Sequence, residues 1–197
     1  MVFDLFDWSD ESTFSHWHSK LTVFRQKVDE TFAEAEADWA RQKTVREAED
    51  LDPDSLWEAS EMGRLLEIAF FNLLFSHFER TVSERYESLR EKIPSLPPSE
   101  EAVFAAILSR LEMHLPAGTA DFARTKELHL LRNRLLHDGA KWTDRTDRLQ
   151  KLIAEGDLFK SLTDDVALTS EGVDRAVGDL QTAFLGIAAA VRDYQSG

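Results

Sequence analysis

Residues 65–78 read LLEIAFFNLLFSHF, and this stretch decides the fold. Its apolar side chains fall on nearly every side of a helix, and a helix that is apolar all round is normally the central one of a bundle. The stretch is too short to cross a membrane, which takes roughly 20 apolar residues, and it contains Glu67 and Asn72. We therefore predict a buried central helix that runs from near Ser55 to about Lys92.

The flanking sequence predicts further helices on both sides of this one. Before it, apolar residues recur every three or four positions, as on one face of an amphipathic helix. After it, Pro94 to Pro98 stop the helix, and Gly139 is a natural end for a later one. The predicted helices are 12–49, 55–92, 99–115, 121–137, 143–155 and 170–194, whereas residues 158–168 could hold a small extended excursion. We expect one all-α domain over residues 1–197, an up-and-down bundle of about five to six helices.

Composition and charge exclude several functional classes. The 197 residues carry 23 Lys+Arg and 37 Asp+Glu, a net charge of −14, which argues against a protein that coats nucleic acid or anionic membrane by bulk charge. The absence of cysteine excludes disulfides, a thiolate zinc site and a cysteine nucleophile. Acids stand near the N-terminus where a signal peptide would carry Lys or Arg. We expect a soluble, cytoplasmic protein that makes no membrane contact.

The charge is unevenly distributed along the chain. Residues 121–151 hold eight Lys+Arg and five Asp+Glu, a net +3, whereas the remainder holds 15 and 32, a net −17. The basic segment surrounds the end of the predicted fourth helix, which reads LRNRLLHDG over residues 131–139.

A helical wheel at about 100° per residue divides the side chains of this helix into two faces. Leu128, Leu131 and Leu135 define the side towards the core. The opposite side carries Lys126, Asn133 and His137, with Leu130 beside them and Arg132 on the shoulder. Asn133 and His137 are therefore i,i+4 neighbours on a face turned away from the core, which is either plain surface or an interface.

Arg132-Asn133-x-x-x-His137, followed by Asp138-Gly139 near a helix end in an all-α chain, resembles the Arg-x4-6-His motif of HEPN domains. In that family an Asn commonly follows the Arg. The resemblance implies a metal-independent endoribonuclease, often a toxin or antiphage effector, that works as a homodimer with the motif in the subunit cleft. It also suggests a cognate antitoxin, such as a nucleotidyltransferase, and requires no cofactor.

The chemistry of these residues suits that activity. His137 would act as general base or acid for attack of an RNA 2′-OH on the adjacent phosphate, since an imidazole pKa near 6.5 is effective near neutrality. Arg132 would bind the phosphate and stabilise the transition state, and Asn133 would orient the histidine or the phosphate by hydrogen bonding. The expected products are a 2′,3′-cyclic phosphate and a 5′-OH. Residues expected to bind neighbouring phosphates are Lys126, Arg134 and Lys141.

Plainer interpretations of the same residues stay open. The motif could be a helix C-terminus whose cations complement the helix dipole, in a non-catalytic module that uses the Leu130, Asn133 and His137 face only to dimerise. Glu79, near the end of the apolar stretch, could support the motif from behind or simply be a hydrogen-bonded polar group of the bundle. His129 and the other histidines show no ligand spacing with the carboxylates, so we predict no metal site.

Overall fold

The structure is a computed structural model that describes residues 10–45, 54–137, 159–162 and 165–196. Within these residues the chain forms a bundle of five α-helices with one β-hairpin. The elements are α1 (Asp10–Val45), α2 (Asp54–Arg90), α3 (Phe104–His114), α4 (Phe122–His137), β1 (Phe159–Leu162), β2 (Asp165–Leu168) and α5 (Ser170–Ser196). The predicted all-α helical bundle is confirmed. The helix predicted over 143–155 lies outside the described residues.

Helix α2 is central, because it contacts all four of the other α-helices. Phe71, Leu74, Phe75 and Phe78 are all buried along it. The ring of Phe75 lies 5.7 Å from that of Phe78 and 6.0 Å from that of Phe104 on α3. Burying one such side chain contributes about 1.5–3 kcal/mol, so the contact with Phe104 helps to fix where α3 lies against α2.

The prediction that α2 is a buried helix is wrong for one side of it. Leu65 and Leu73 are 52% and 44% exposed, and Ala69 between them is also exposed. Their i,i+4 spacing places them on a single stripe of the helix, which the packing of the described helices leaves uncovered. Near the start of α2 this stripe borders a groove of about 470 Å³ that is lined mostly by apolar side chains and two acids. The lining residues are Trp57, Glu58, Glu61, Met62, Leu65, Leu66 and Ala69.

Helices α1 and α2 run antiparallel. The ring of Phe24 on α1 lies 5.8 Å from that of Phe70 on α2. Val28 comes one turn after Phe24 in α1, yet it lies beside Gly63, which comes before Phe70 in α2. The predicted apolar face of α1 is only partly buried, since Leu21 is fully buried while Phe24 is 51% exposed.

Helix α3 begins later than predicted. A 3-10 turn covers Ser99–Glu101, and Ala102 is extended, with φ −119° and ψ 133°, so the α-helix starts at Phe104. Glu87 of α2 accepts the Ser99 backbone N–H at 2.5 Å and thereby ties the turn to α2. Hydrogen bonds from the Ser99 side chain and from its backbone N–H, together with the bond from Arg90, lower the pKa of Glu87 to about 2.

The extended excursion that the sequence left open over 158–168 is a hairpin. Phe159 pairs with Leu168 and Leu162 with Asp165 in antiparallel register, and Leu168 is buried in the core. Directly after it, the Thr169 hydroxyl accepts the Gly172 N–H at 3.1 Å and caps α5.

Candidate functional site

The candidate site lies on α4, and its position is set by the buried face of that helix. Leu128, Leu131 and Leu135 are 1%, 0% and 5% exposed, which confirms the predicted core-facing side. Leu130, which the wheel placed on the face turned away from the core, is partly buried against the core. Asp121 accepts the Arg124 N–H at 2.9 Å and caps the start of α4, so the rotation of the helix is fixed at both its cap and its core.

Arg132 extends from the shoulder of α4 onto α2. Its Nη2 lies 3.5 Å from a Glu79 carboxylate oxygen and 3.4 Å from the Ser76 hydroxyl. Its Nη1 donates to Asn133 Oδ1 at 3.0 Å. Its Nε is buried and has no hydrogen-bond partner among the described residues. A guanidinium carries five N–H donors, and the contacts with Asn133, Ser76 and Glu79 engage three of them at most. The side chain is 20% exposed, so an anion would be bound through the Nη groups and not through the buried Nε.

Asn133 connects Arg132 to a second side chain of the same helix. Its Nδ2 lies 3.1 Å from Nε2 of His129, one turn earlier, while its Oδ1 faces Arg132. The asparagine is partly buried, and both the oxygen and the nitrogen of its carboxamide have partners within α4.

His129 is enclosed by aromatic rings from two other helices. Its imidazole stacks on Phe75 of α2 at 5.7 Å with an interplanar angle of 22°, and meets Phe104 of α3 edge-on at 5.4 Å. Burial lowers the pKa of His129 below its ordinary 6.5; the Glu79 carboxylate opposes this shift and the Arg132 cation adds to it. His129 is therefore neutral at pH 7.

These five side chains form one polar cluster, which comprises Ser76, Glu79, His129, Arg132 and Asn133. Sequence reasoning singled out Arg132 and Asn133 and left the role of Glu79 open, but it missed His129 and Ser76. His129 could have been found, because its i,i+4 spacing from Asn133 places the two residues next to each other on one helix face. No sequence pattern pointed to Ser76, whose contact depends on how α2 and α4 pack.

The other predicted site residues stand apart from this cluster or outside the described part of the chain. Lys126 forms an ion pair with Glu112 of α3 at 2.6 Å and lies two helical turns, about 10 Å, before Asn133. His137 ends α4 and Arg134 lies within it, but their side chains fall outside the described residues, as does Lys141. The structure thus brings Arg132 and Asn133 together and directs Lys126 elsewhere.

The described residues offer neither a metal site nor a membrane-spanning helix. Among the described residues, no three His, Asp or Glu side chains are grouped so that they could hold a metal ion. None of the described helices is long and apolar enough to cross a membrane.

Comparison with known proteins adds no relative. No protein-family model, no curated protein and no solved structure matches the chain.

Proposed function

We propose that this protein is a metal-independent endoribonuclease of the HEPN type, with Arg132, Asn133 and His137 as its active-site residues. The observation that carries the proposal is the state of Arg132, five residues before His137 on one helix. Its guanidinium is held between α2 and Asn133 by contacts of 3.0–3.5 Å, yet it keeps N–H donors. An incompletely paired guanidinium on a partly exposed side chain suits a residue that binds an anionic substrate through its Nη groups.

Arg132 is suited to a phosphate group in particular. Its planar fork of donors matches two phosphate oxygens, and the cation would stabilise the charge that builds up in the pentacovalent transition state. Glu79, at 3.5 Å, is close enough to orient the guanidinium but too far to saturate it. The net +3 of residues 121–151 makes this segment the one that would attract RNA in an otherwise acidic chain.

His137 supplies the acid–base chemistry in this proposal. It follows Asn133 by four residues, so it lies one turn further along the same helix face. As general base it would take the proton of a ribose 2′-OH, whose oxygen attacks the adjacent phosphorus while the bond to the 5′-oxygen breaks and that oxygen takes up a proton from water. The products would be a 2′,3′-cyclic phosphate and a 5′-OH, with no metal required.

A second copy of the chain would complete the cleft. Leu73 of α2 and Leu136 of α4 are 44% and 47% exposed. Leu73 is three residues from Ser76 and Leu136 four from Arg132, so apolar surface borders the polar cluster on both helices. Burial of this surface in a homodimer would bring two clusters together. A toxin or antiphage role, with a nucleotidyltransferase-type antitoxin, is what the resemblance implies for the biology.

Cleavage of RNA by purified variants tests the proposal. In EDTA, wild type should cut RNA. Arg132→Ala should slow cleavage about 100-fold or more, and His137→Ala by a similar factor. Arg80→Ala, one turn from Ser76 on the surface of α2, and His114→Ala, at the exposed end of α3, are matched controls and should cut at the wild-type rate. Cleavage that vanished in EDTA, or that survived both active-site changes, would contradict the assignment.

The second candidate is a non-catalytic helical module that only dimerises. The uncovered stripe of α2, with Leu65 and Leu73 about half exposed, favours it because such a stripe suits an interface whether or not chemistry occurs nearby. A wild-type dimer that binds no RNA and cuts none would select this candidate.

A further inference from the structure

The polar cluster contains a chain of contacts whose direction is fixed by chemistry. Glu79 faces Arg132, Arg132 donates to Asn133, and Asn133 faces His129, with distances of 3.5, 3.0 and 3.1 Å. A guanidinium can only donate, so the carboxamide of Asn133 must turn its oxygen to Arg132. Its NH₂ group then points to His129, where Nε2 has to accept.

This requirement defines the chemical state of His129. A ring nitrogen that accepts must carry a lone pair, so the imidazole is neutral and its proton is on Nδ1. The aromatic contacts with Phe75 and Phe104 hold the ring in the plane that this bond needs. Burial between them lowers the pKa of His129 and favours the neutral form.

We propose that His129 is a positioning residue of this site, which fixes the carboxamide of Asn133 and through it the direction of the Arg132 guanidinium. The inference rests on the proposed ribonuclease for its functional meaning, since it assigns the residue that aims the phosphate-binding arginine. His129 touches no substrate in this scheme. Its effect passes through one asparagine.

The arrangement makes the site sensitive to pH. When His129 gains a proton, Nε2 becomes a donor and repels the NH₂ group of Asn133. The carboxamide must then rotate, which turns its NH₂ group towards Arg132 and breaks that bond as well. The charged groups that face the ring are Glu79 from α2 and Arg132 from α4 itself, whereas α3 contributes the apolar Phe104. Acidification should therefore release Arg132 as His129 titrates.

Two substitutions separate the acceptor from the ring. His129→Phe keeps an aromatic ring between Phe75 and Phe104 but offers Asn133 no acceptor. His129→Gln loses the ring and offers a carbonyl oxygen near the place of Nε2. A role in packing alone predicts that Phe is the better replacement, whereas a positioning role predicts that Gln is.

Nitrogen NMR provides a measurement that does not depend on activity. At neutral pH, the ¹⁵N shifts of the His129 ring should show the Nδ1–H tautomer. The side-chain signals of Asn133 NH₂ and Arg132 Nε–H should move in His129→Phe, return towards wild type in His129→Gln, and stay unchanged in the control His114→Phe. An Nε2–H tautomer, or Asn133 and Arg132 signals that ignore the loss of His129, would overturn the proposal.

The functional measurement is kcat/KM for RNA cleavage across pH. His129→Phe should lower it about tenfold at neutral pH, the effect of one lost hydrogen bond between neutral groups, and Gln should restore most of it. In wild type, the fall of kcat/KM at acidic pH should include the titration of His129. Neither variant has a titrating group at this position, so that part of the fall should be absent from both of their profiles. If wild type cuts no RNA, the proposed ribonuclease fails, while the NMR signals still decide whether His129 positions Arg132.

Discussion

Arg25 and Arg132 both reach from one helix to a carboxylate of α2, but their hydrogen bonding differs. Arg25 donates to both oxygens of Glu67 at 2.5 and 2.7 Å, to Asp174 at 2.7 Å, and to the Ser170 carbonyl at 3.0 Å. Glu67 is buried, so Arg25 is the counter-charge that lets this carboxylate lie in the core. The described contacts of Arg132 are longer, at 3.0–3.5 Å, and leave its guanidinium incompletely paired, as the proposed phosphate-binding role requires.

The Arg25 cluster gives a stability prediction. Arg25→Ala leaves Glu67 buried without its counter-charge, and should lower the free energy of unfolding by about 3 kcal/mol, the lower end of the range for a broken buried pair because Asp174 is partly exposed. Urea denaturation measures it. Lys27→Ala, on the same helix in an exposed pair with Glu30, is the control and should leave the midpoint nearly unchanged. Equal effects of the two changes would refute the assignment.

His129 gives a pH prediction at the same scale. Its pKa is below 6.5 in the folded protein and near 6.5 in the unfolded chain, so below pH 6.5 the unfolded chain binds more protons. The free energy of unfolding should therefore fall as the pH drops from about 6.5 to the folded pKa, and His129→Phe should remove this part of the fall. Urea midpoints at about pH 7.5 and about pH 5.5 for both proteins measure the difference. An identical fall in both would show that His129 is not the titrating group.

At the residue scale the sequence singled out Arg132 and Asn133, which the structure brings into contact, but not the side chains around them. Arg132 and Asn133 stand out because their types and spacing match a motif. The contact between Arg132 and Ser76 joins residues 56 positions apart and depends on how α2 packs against α4. The spacing of apolar residues predicts each helix but not how two helices pack together.

At the scale of elements, helices were predictable wherever apolar residues recur at helical spacing. The bounds of α2, α4 and α5 agree with prediction to within two residues, because Asp54, Asp121 and Thr169 stand at or beside their starts. The start of α3 was not predictable, since it depends on a bond from Ser99 to Glu87 of another helix. The uncovered side of α2 was missed for a similar reason, because composition shows that a helix is apolar but not which neighbours cover it.

Two glycines of α5 give a prediction at this scale. A Cβ at Gly186 would overlap the carbonyl oxygen of Thr119, in the loop that leads into α4, whereas a Cβ at Gly178 would meet no atom within 4 Å. Gly186→Ala should therefore cost about 1–3 kcal/mol of unfolding free energy through overpacking. Gly178→Ala should stabilise the protein by about 0.5–1 kcal/mol, because alanine favours a helix. Thermal and urea unfolding of the pair test this, and a Gly186→Ala protein as stable as Gly178→Ala would show that α5 does not approach Thr119 so closely.

For the whole molecule, the uneven charge and the uncovered apolar surface lie on the same elements. The basic segment begins on α4, and the exposed Leu73 and Leu136 flank the polar cluster there. A homodimer through this surface would bury the two leucines and bring Arg132 of each copy to the interface. In the proposed ribonuclease this arrangement would favour RNA that fits the cleft over RNA bound by bulk charge.

The dimer gives a prediction for the whole molecule. Leu73→Glu and Leu136→Glu should each shift the protein from dimer to monomer, because a carboxylate replaces a leucine in an apolar contact. Met113 lies at the end of α3 and is 72% exposed, so Met113→Glu is the control and should leave the molar mass of the dimer in solution unchanged. Light scattering coupled to size exclusion provides the measurement. A wild-type monomer, or a dimer that tolerates both leucine changes, would place the interface elsewhere or exclude it.

The most direct test of the proposed ribonuclease is cleavage of one RNA sequence in EDTA beside a copy in which every ribose carries a 2′-O-methyl group. Wild type should cut the RNA, leave 2′,3′-cyclic phosphate and 5′-OH ends, and spare the methylated copy, because the attacking nucleophile is the 2′-OH. His137→Ala should cut neither at an appreciable rate. Cleavage of the methylated copy, products with 5′-phosphate ends, or an intact RNA after incubation with the wild-type dimer would contradict it.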